Sequence, residues 1–226
     1  MAVDIRLVWV AVGGFAVNVE VFSIAGLLPG MAADTGVTIS QAGYLASAYS
    51  LAFAVSAPLL TSIFASSDRR TVLSSAAAIF SVLTLSAALS RGYWQLFGFR
   101  MALGFTAGLF ASLALATAAA LATPEGRGRA MSIVISGQTI AIALGVPLAA
   151  LIATRFGWRV SYLSLAAIGA FAAVALWLML PSGIRGAALT IRERLTALAI
   201  PGVPPTYAVT VLFLIGGFSQ FFYLGK

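Results

Sequence analysis

Seven stretches of the chain, at about 7–29, 41–64, 71–90, 93–122, 130–154, 159–180 and 206–224, run for roughly twenty or more residues with almost no charge. At about 1.5 Å per residue, such a stretch crosses the hydrocarbon core of a bilayer as a helix. No open strand could do so, because every backbone group at that depth must be satisfied internally. The pattern predicts an all-α membrane protein. Its connectors are short, so no soluble domain is inserted between the spans. The fourth stretch exceeds the hydrocarbon thickness and predicts tilt or overhang. The first, Leu7 to about Leu28, is longer than a signal-peptide core and lacks a small-residue cleavage site, so it is read as a retained span.

Composition closes off other classes. Charged residues make up 8% of the chain, against about 25% in soluble domains. Cysteine and histidine are both absent. That excludes disulfides, thiolate or histidine metal sites, Ser-His-Asp hydrolysis and Ser-His intramembrane proteolysis. No enzyme, cofactor or metal is expected. A retinal-type receptor would need a lysine within the seventh span, and the one lysine is Lys226. The net charge of +7 is scattered over connectors, which reads as membrane topology and not as a nucleic-acid surface.

Basic residues set the orientation. With the N-terminus cytoplasmic, the inner segments hold Arg6, Arg69, Arg70, Arg127, Arg129, Arg185, Arg192 and Arg194; the outer side holds Arg91, Arg155, Arg159 and Lys226. This positive-inside excess predicts an inner-membrane protein with its N-terminus in the cytoplasm. Trp94 and Trp158 then fall at the outer interface, Trp9 and Trp177 near the inner one. The organisation expected is a six-span bundle over 1–180, a cytoplasmic linker over 181–205 and a seventh span over 206–226. Within the linker, Ile191, Leu195 and Leu198 share one helical face apart from Arg192, Glu193 and Arg194, the pattern of a helix lying on an anionic leaflet.

Two charges lie inside apolar spans, where ionisable groups mark substrate, ion or proton paths. Glu20 falls about 13 residues into the first span, near or beyond the midplane. Arg100 enters the fourth from the outer side, about 10 Å below that surface, at a level similar to Glu20. Desolvation favours the neutral acid and a paired cation favours the carboxylate. A group between those influences can carry protons. The same pair could also serve only to hold helices together. Gly104 and Gly108, following Arg100, let a neighbouring helix approach closely. In the fifth span, Gly137, Ala141, Gly145 and Ala149 form a stripe of small residues, and Pro147 predicts a kink that can act as hinge or seal. Asn18, Tyr44, Tyr49 and Gln138 are the polar candidates for lining a cavity. Arg69-Arg70 end the second connector, which reads as inner-side charge with a capacity to meet lipid phosphate or a helix end.

Together these residues resemble the N-terminal half of a major facilitator superfamily transporter, of the sugar- and drug-efflux proton antiporter type. Gly26-Leu27-Leu28-Pro29 follows the acidic first span, where Glu20-Val21 stands for a common Glu-Phe pair. Ala42-Gly43-Tyr44 and Tyr49 resemble the second helix of that group. Arg100, Gly104 and Gly108 resemble the fourth-helix motif associated with proton coupling. Gly145 and Pro147 resemble the antiporter motif of the fifth, with Ala149 where glycine is usual. Gly157-Trp158-Arg159 resembles the entry to the sixth. The second-to-third connector departs most: registered on Arg69-Arg70, the family's Gly-x-x-x-Asp-Arg-x-Gly-Arg-Arg is met by Thr61, Ala65, Ser66 and Asp68.

The resemblance implies proton-coupled efflux of a small organic molecule such as a sugar, nucleoside or drug. It also implies that a C-terminal half, or a second copy, completes the cavity between two six-span units. The alternative is a truncated, non-transporting membrane protein or a half-transporter that needs a partner.

Overall fold

The computed structural model describes residues 4–186, 196, 200 and 202–223. Six helices are long and apolar enough to cross a membrane: α1 (Ile5–Thr35), α2 (Ile39–Ile63), α3 (Arg69–Ala88), α4 (Tyr93–Leu121), α5 (Pro124–Phe156) and α6 (Trp158–Met179). A seventh apolar helix, α7 (Val203–Tyr223), follows. No strand occurs among the described residues. The chain forms two compact units, Met1–Ala187 and Ala188–Lys226. The proposed interfacial helix over Ile191, Leu195 and Leu198 lies outside the described residues, as does Lys226.

Local chemistry sets the helix ends. The Asp4 side chain accepts from the Arg6 amide at 3.0 Å and starts α1. Gly36, at φ 68°, closes it in the left-handed conformation that glycine adopts without strain. Thr38 and Gln41 make a reciprocal capping box at the start of α2. Asp68 caps α3 by accepting from the Thr71 amide at 3.2 Å. Two helices run further than the apolar runs suggest. α1 continues past Pro29 to Thr35, and α5 starts in a 3-10 turn at Pro124, a residue suited to a first helical turn.

The Pro147 irregularity takes a definite form. Residues Ala141–Gly145 make a π turn in which the Val146 amide donates to the Ala141 carbonyl, five residues back. Proline lacks an amide and its ring crowds the preceding turn, so widening that turn relieves the conflict inside one continuous span.

Burial ranks the helices. α1 and α4 each bury 61% of their most apolar window, α2 and α5 only 28%, so the first pair forms the centre of this unit. α2 lies along α4, α3 along α6, and α1 along α5 and α6. The glycines supply the contact surfaces. A Cβ added at Gly104 would strike the Tyr49 carbonyl oxygen and lie 2.9 Å from Ala52 Cβ. At Gly137 it would lie 2.6 Å from the Ala11 carbonyl oxygen, so the α5 stripe seats on α1. Gly108 meets Ser56 and Phe53, and Gly145 meets Val19 and Phe15, in the same two seams. At Gly104, Gly108 and Gly137 the neighbouring backbone approaches closely, and at Gly145 neighbouring side chains fill the space; only small residues permit either.

Candidate functional site

Glu20 on α1 and Arg100 on α4 meet inside the bundle. Both are essentially without solvent exposure, at 0% and 1%. Arg100 Nη1 donates to Glu20 Oε1 and pairs with it. Arg100 Nη1 also donates to Tyr162 Oη, from α6, at 3.1 Å. Tyr162 Oη in turn donates to Glu20 Oε1 at 3.0 Å. Arg100 Nε donates to the Leu45 carbonyl at 3.3 Å, and its guanidinium carbon stands 4.5 Å from the centre of the Tyr49 ring. Side chains from α1, α2, α4 and α6 thus converge on one charge pair.

The close packing has a direct role here. Gly104 is one turn beyond Arg100, so the tight α2–α4 seam brings Tyr49 and the Leu45 carbonyl against the guanidinium. Arginine stays charged at any ordinary pH, which makes Glu20 the member able to change state. Glu20 Oε2 is buried with no hydrogen-bond partner among the described residues. One carboxylate oxygen is therefore committed to the pair and the other is enclosed without a hydrogen bond among the described residues.

The remaining sequence candidates separate. The Asn18 amide donates to the Gly14 carbonyl at 2.8 Å, and a Cβ at Gly14 would lie 3.8 Å from Gln138 Cγ. Asn18 and Gln138 therefore share the α1–α5 seam, both half-buried. Tyr44 is exposed on α2, whereas Tyr49 is buried beneath Arg100. Arg69 is buried and donates to the Ala65 carbonyl at 3.3 Å; the Arg70 guanidinium lies 4.6 Å over the Trp177 ring.

Asp68, beside them, ties the second connector to the chain leaving α6. It accepts from the Gly183 amide, while the Arg69 amide donates to the Ile184 carbonyl at 2.9 Å and the Gly186 amide to Ala65 at 3.1 Å. Burial opposes its charge, but the Gly183, Thr71 and Arg70 amides and the Arg185 charge outweigh that and hold the Asp68 carboxyl below the usual carboxylate range.

Two groups escaped the sequence reading. Tyr162 completes the ion pair; a hydroxyl at depth in the sixth span was the available signal. At the far end of α1, Asp34 pairs with Arg159 and accepts from Trp158 Nε1 at 2.8 Å. There the sequence placed Trp158 at an interface, counted Arg159 as outer-side charge and read both as the entry to the sixth helix, without a partner for either. Among the described residues no group of three acidic, His or Cys side chains could hold a metal.

A bundle of membrane-length helices built around a buried ion pair defines a multi-pass membrane protein. The sequence profile of the Major Facilitator Superfamily covers residues 10–225, and the chain belongs to that family. It is 32% identical over 224 residues to the inner membrane transport protein YdhP of Escherichia coli K12, covering 99% of this chain and 58% of that one. It is 32% identical over 218 residues to the chloramphenicol resistance protein of Streptomyces lividans, covering 95% and 56%. The chain thus spans little more than half the length of these relatives. Among solved structures, the inward-open xylose transporter XylE of Escherichia coli superimposes with a TM-score of 0.64 at 19% identity, covering 91% of this chain and 54% of that one. At that identity the likeness shows the fold alone.

Proposed function

We propose that the chain is the first six-span unit, over about 1–180, of a proton-coupled efflux transporter, followed by a linker and the seventh helix of a second unit. The observation that carries this is the Glu20–Arg100–Tyr162 cluster: a titratable acid, a permanent cation and a neutral donor enclosed where a charge is costly to keep. Protonating Glu20 would release Arg100 from its partner, and deprotonating it would draw the two together. Because the residues come from different helices, each state favours a different packing of α1, α4 and α6. Export of a small organic molecule fits the name of the Streptomyces relative, a chloramphenicol resistance protein. Asn18, Tyr44 and Gln138 lie outside the ion pair and are the candidates to meet substrate once a second six-span unit, or a second copy, faces this one. The setting is a bacterial inner membrane with the N-terminus cytoplasmic.

The test is Glu20→Gln in the full-length transporter, assayed for export into vesicles under an imposed pH gradient. The amide keeps the volume and an acceptor for Arg100 but cannot ionise. Gradient-driven export should be lost with insertion intact. Undiminished export by this variant would overturn the assignment.

A further inference from the structure

At one end of the six-helix unit, a run of contacts leads from half-exposed charges down to Glu20. Asp34, in the last turn of α1, accepts from Trp158 Nε1 at 2.8 Å and pairs with Arg159. Arg159 Nη2 donates to the Ser90 carbonyl beyond α3 at 3.0 Å, and its guanidinium carbon lies 4.6 Å over the Trp158 ring. Gly157, at φ 88°, turns the chain from α5 into α6 and delivers Trp158 at its first position. The buried indole packs over Gly30, where a Cβ would lie 3.2 Å from Trp158 Cδ1. One turn further along α6, Tyr162 meets the indole edge-on, with ring centres 5.5 Å apart and planes at 85°.

We propose that Trp158, oriented by Asp34, is a positioning residue for Tyr162 and through it for Glu20, so that loosening of the α1–α3–α6 end is registered at the buried carboxylate. The indole is fixed at its N–H by Asp34 and on its face by Arg159, and it packs nearly perpendicular to the phenol. The groups that face Glu20 are few. Arg100 comes from α4 and Tyr162 from α6, and Tyr49 of α2 lies beneath Arg100 and also interacts electrostatically with Tyr162. The charges of α5 stand near its ends, at Glu125, Arg127, Arg129 and Arg155, and those of α3 at Arg69 and Arg70. Tyr162 is therefore the neutral donor on Glu20, and moving it alters how the carboxylate is solvated. Asp34 and Arg159 have side chains 43% and 37% exposed, so solvent and conformational change reach the clamp where they do not reach Glu20.

The consequence for transport rests on the proton-carrying role of Glu20; the positioning does not. The experiment is infrared spectroscopy of the 226-residue chain in lipid nanodiscs, with the phenol band assigned by Tyr162→Phe and the carboxyl band by Glu20→Gln. Trp158→Ala and Asp34→Ala should both shift the Tyr162 band. Asp34→Asn, which keeps an acceptor for the indole N–H, should stay near wild type. The protonation midpoint of Glu20 should move by about half a unit or more in Trp158→Ala and should not move when that change is made in a Tyr162→Phe background, the coupling expected of residues acting in series. Asp34→Ala lies at the edge of the bundle and carries the test if Trp158→Ala fails to insert. An unchanged Tyr162 band in correctly helical variants would overturn the proposal. A shifted phenol band with a Glu20 that never titrates would uphold the positioning and refute the proton-carrier reading instead.

Discussion

Tyr162 Oη stands 3.0 Å from Glu20 Oε1 and 3.1 Å from Arg100 Nη1, donating to the acid and accepting from the base. The phenol completes the ion pair without adding charge, which is how a buried pair is kept soluble in its own surroundings. Tyr162→Phe removes that bridge and keeps the ring. The expected result is intact insertion, a stability loss of about 1 kcal/mol, and a displaced pH profile for gradient-driven export. Melting and vesicle transport measure the two effects. A profile identical to wild type would leave Tyr162 a packing residue only.

The α2–α4 seam gives a sharper contrast. At Gly104 an added methyl meets the Tyr49 carbonyl oxygen and Ala52 Cβ, neither of which can move without shifting a helix. At Gly98, in the same helix, it meets nothing within 4 Å. Gly104→Ala should therefore destabilise by about 1–3 kcal/mol through overpacking and draw Arg100 off Tyr49. Gly98→Ala should be neutral or stabilising by up to about 1 kcal/mol, because alanine is the better helix former. Thermal unfolding of the two variants side by side decides the matter. Equal effects would mean that the seam is not close-packed in the membrane.

That contrast also shows what the sequence could and could not convey. Hydropathy located the six membrane-length helices and the apolar seventh because length and apolarity are one-dimensional properties, and Glu20 and Arg100 were conspicuous as charges in apolar runs. Spacing put Gly104 in register with Arg100, but only the packed helices show that it faces α2. Tyr49 and Tyr44 looked alike in sequence; a five-residue offset turned one under the guanidinium and left the other exposed. Tyr162 and Asp34 were not singled out because their partners lie 142 and about 125 residues away along the chain, beyond any local pattern. Pro147 announced a disturbance, but the sequence did not convey that it takes the form of a π turn over Ala141–Gly145.

Asp68 makes a prediction about acid. Its carboxyl is held below the usual range, so the folded protein binds its proton less readily than the unfolded chain does. Its contribution is then complete above the unfolded value, about 3.9, and is lost as pH falls through the lower folded value. Asp68→Ala should cost about 0.5–2 kcal/mol at neutral pH, the range for a lost helix cap. The gap between variant and wild type should narrow as pH drops below about 4. Denaturation followed at several pH values tests this; a gap constant down to acid pH would mean that the charged carboxylate contributes nothing beyond its shape.

The orientation can be tested without disturbing the core, because the chain has no native cysteine to remove. Glu125 lies in the first turn of α5 and Arg91 in the α3–α4 connector, both exposed and beyond opposite ends of α4. Single replacements by cysteine at these positions introduce one accessible thiol each. With the N-terminus cytoplasmic, a membrane-impermeant maleimide added to intact cells should label Arg91→Cys and spare Glu125→Cys, and permeabilisation should expose the second. The reverse pattern would invert the topology. It would put Asp34, Trp158 and Arg159 on the cytoplasmic face, so the same two thiols also decide from which side the clamp above Glu20 is released.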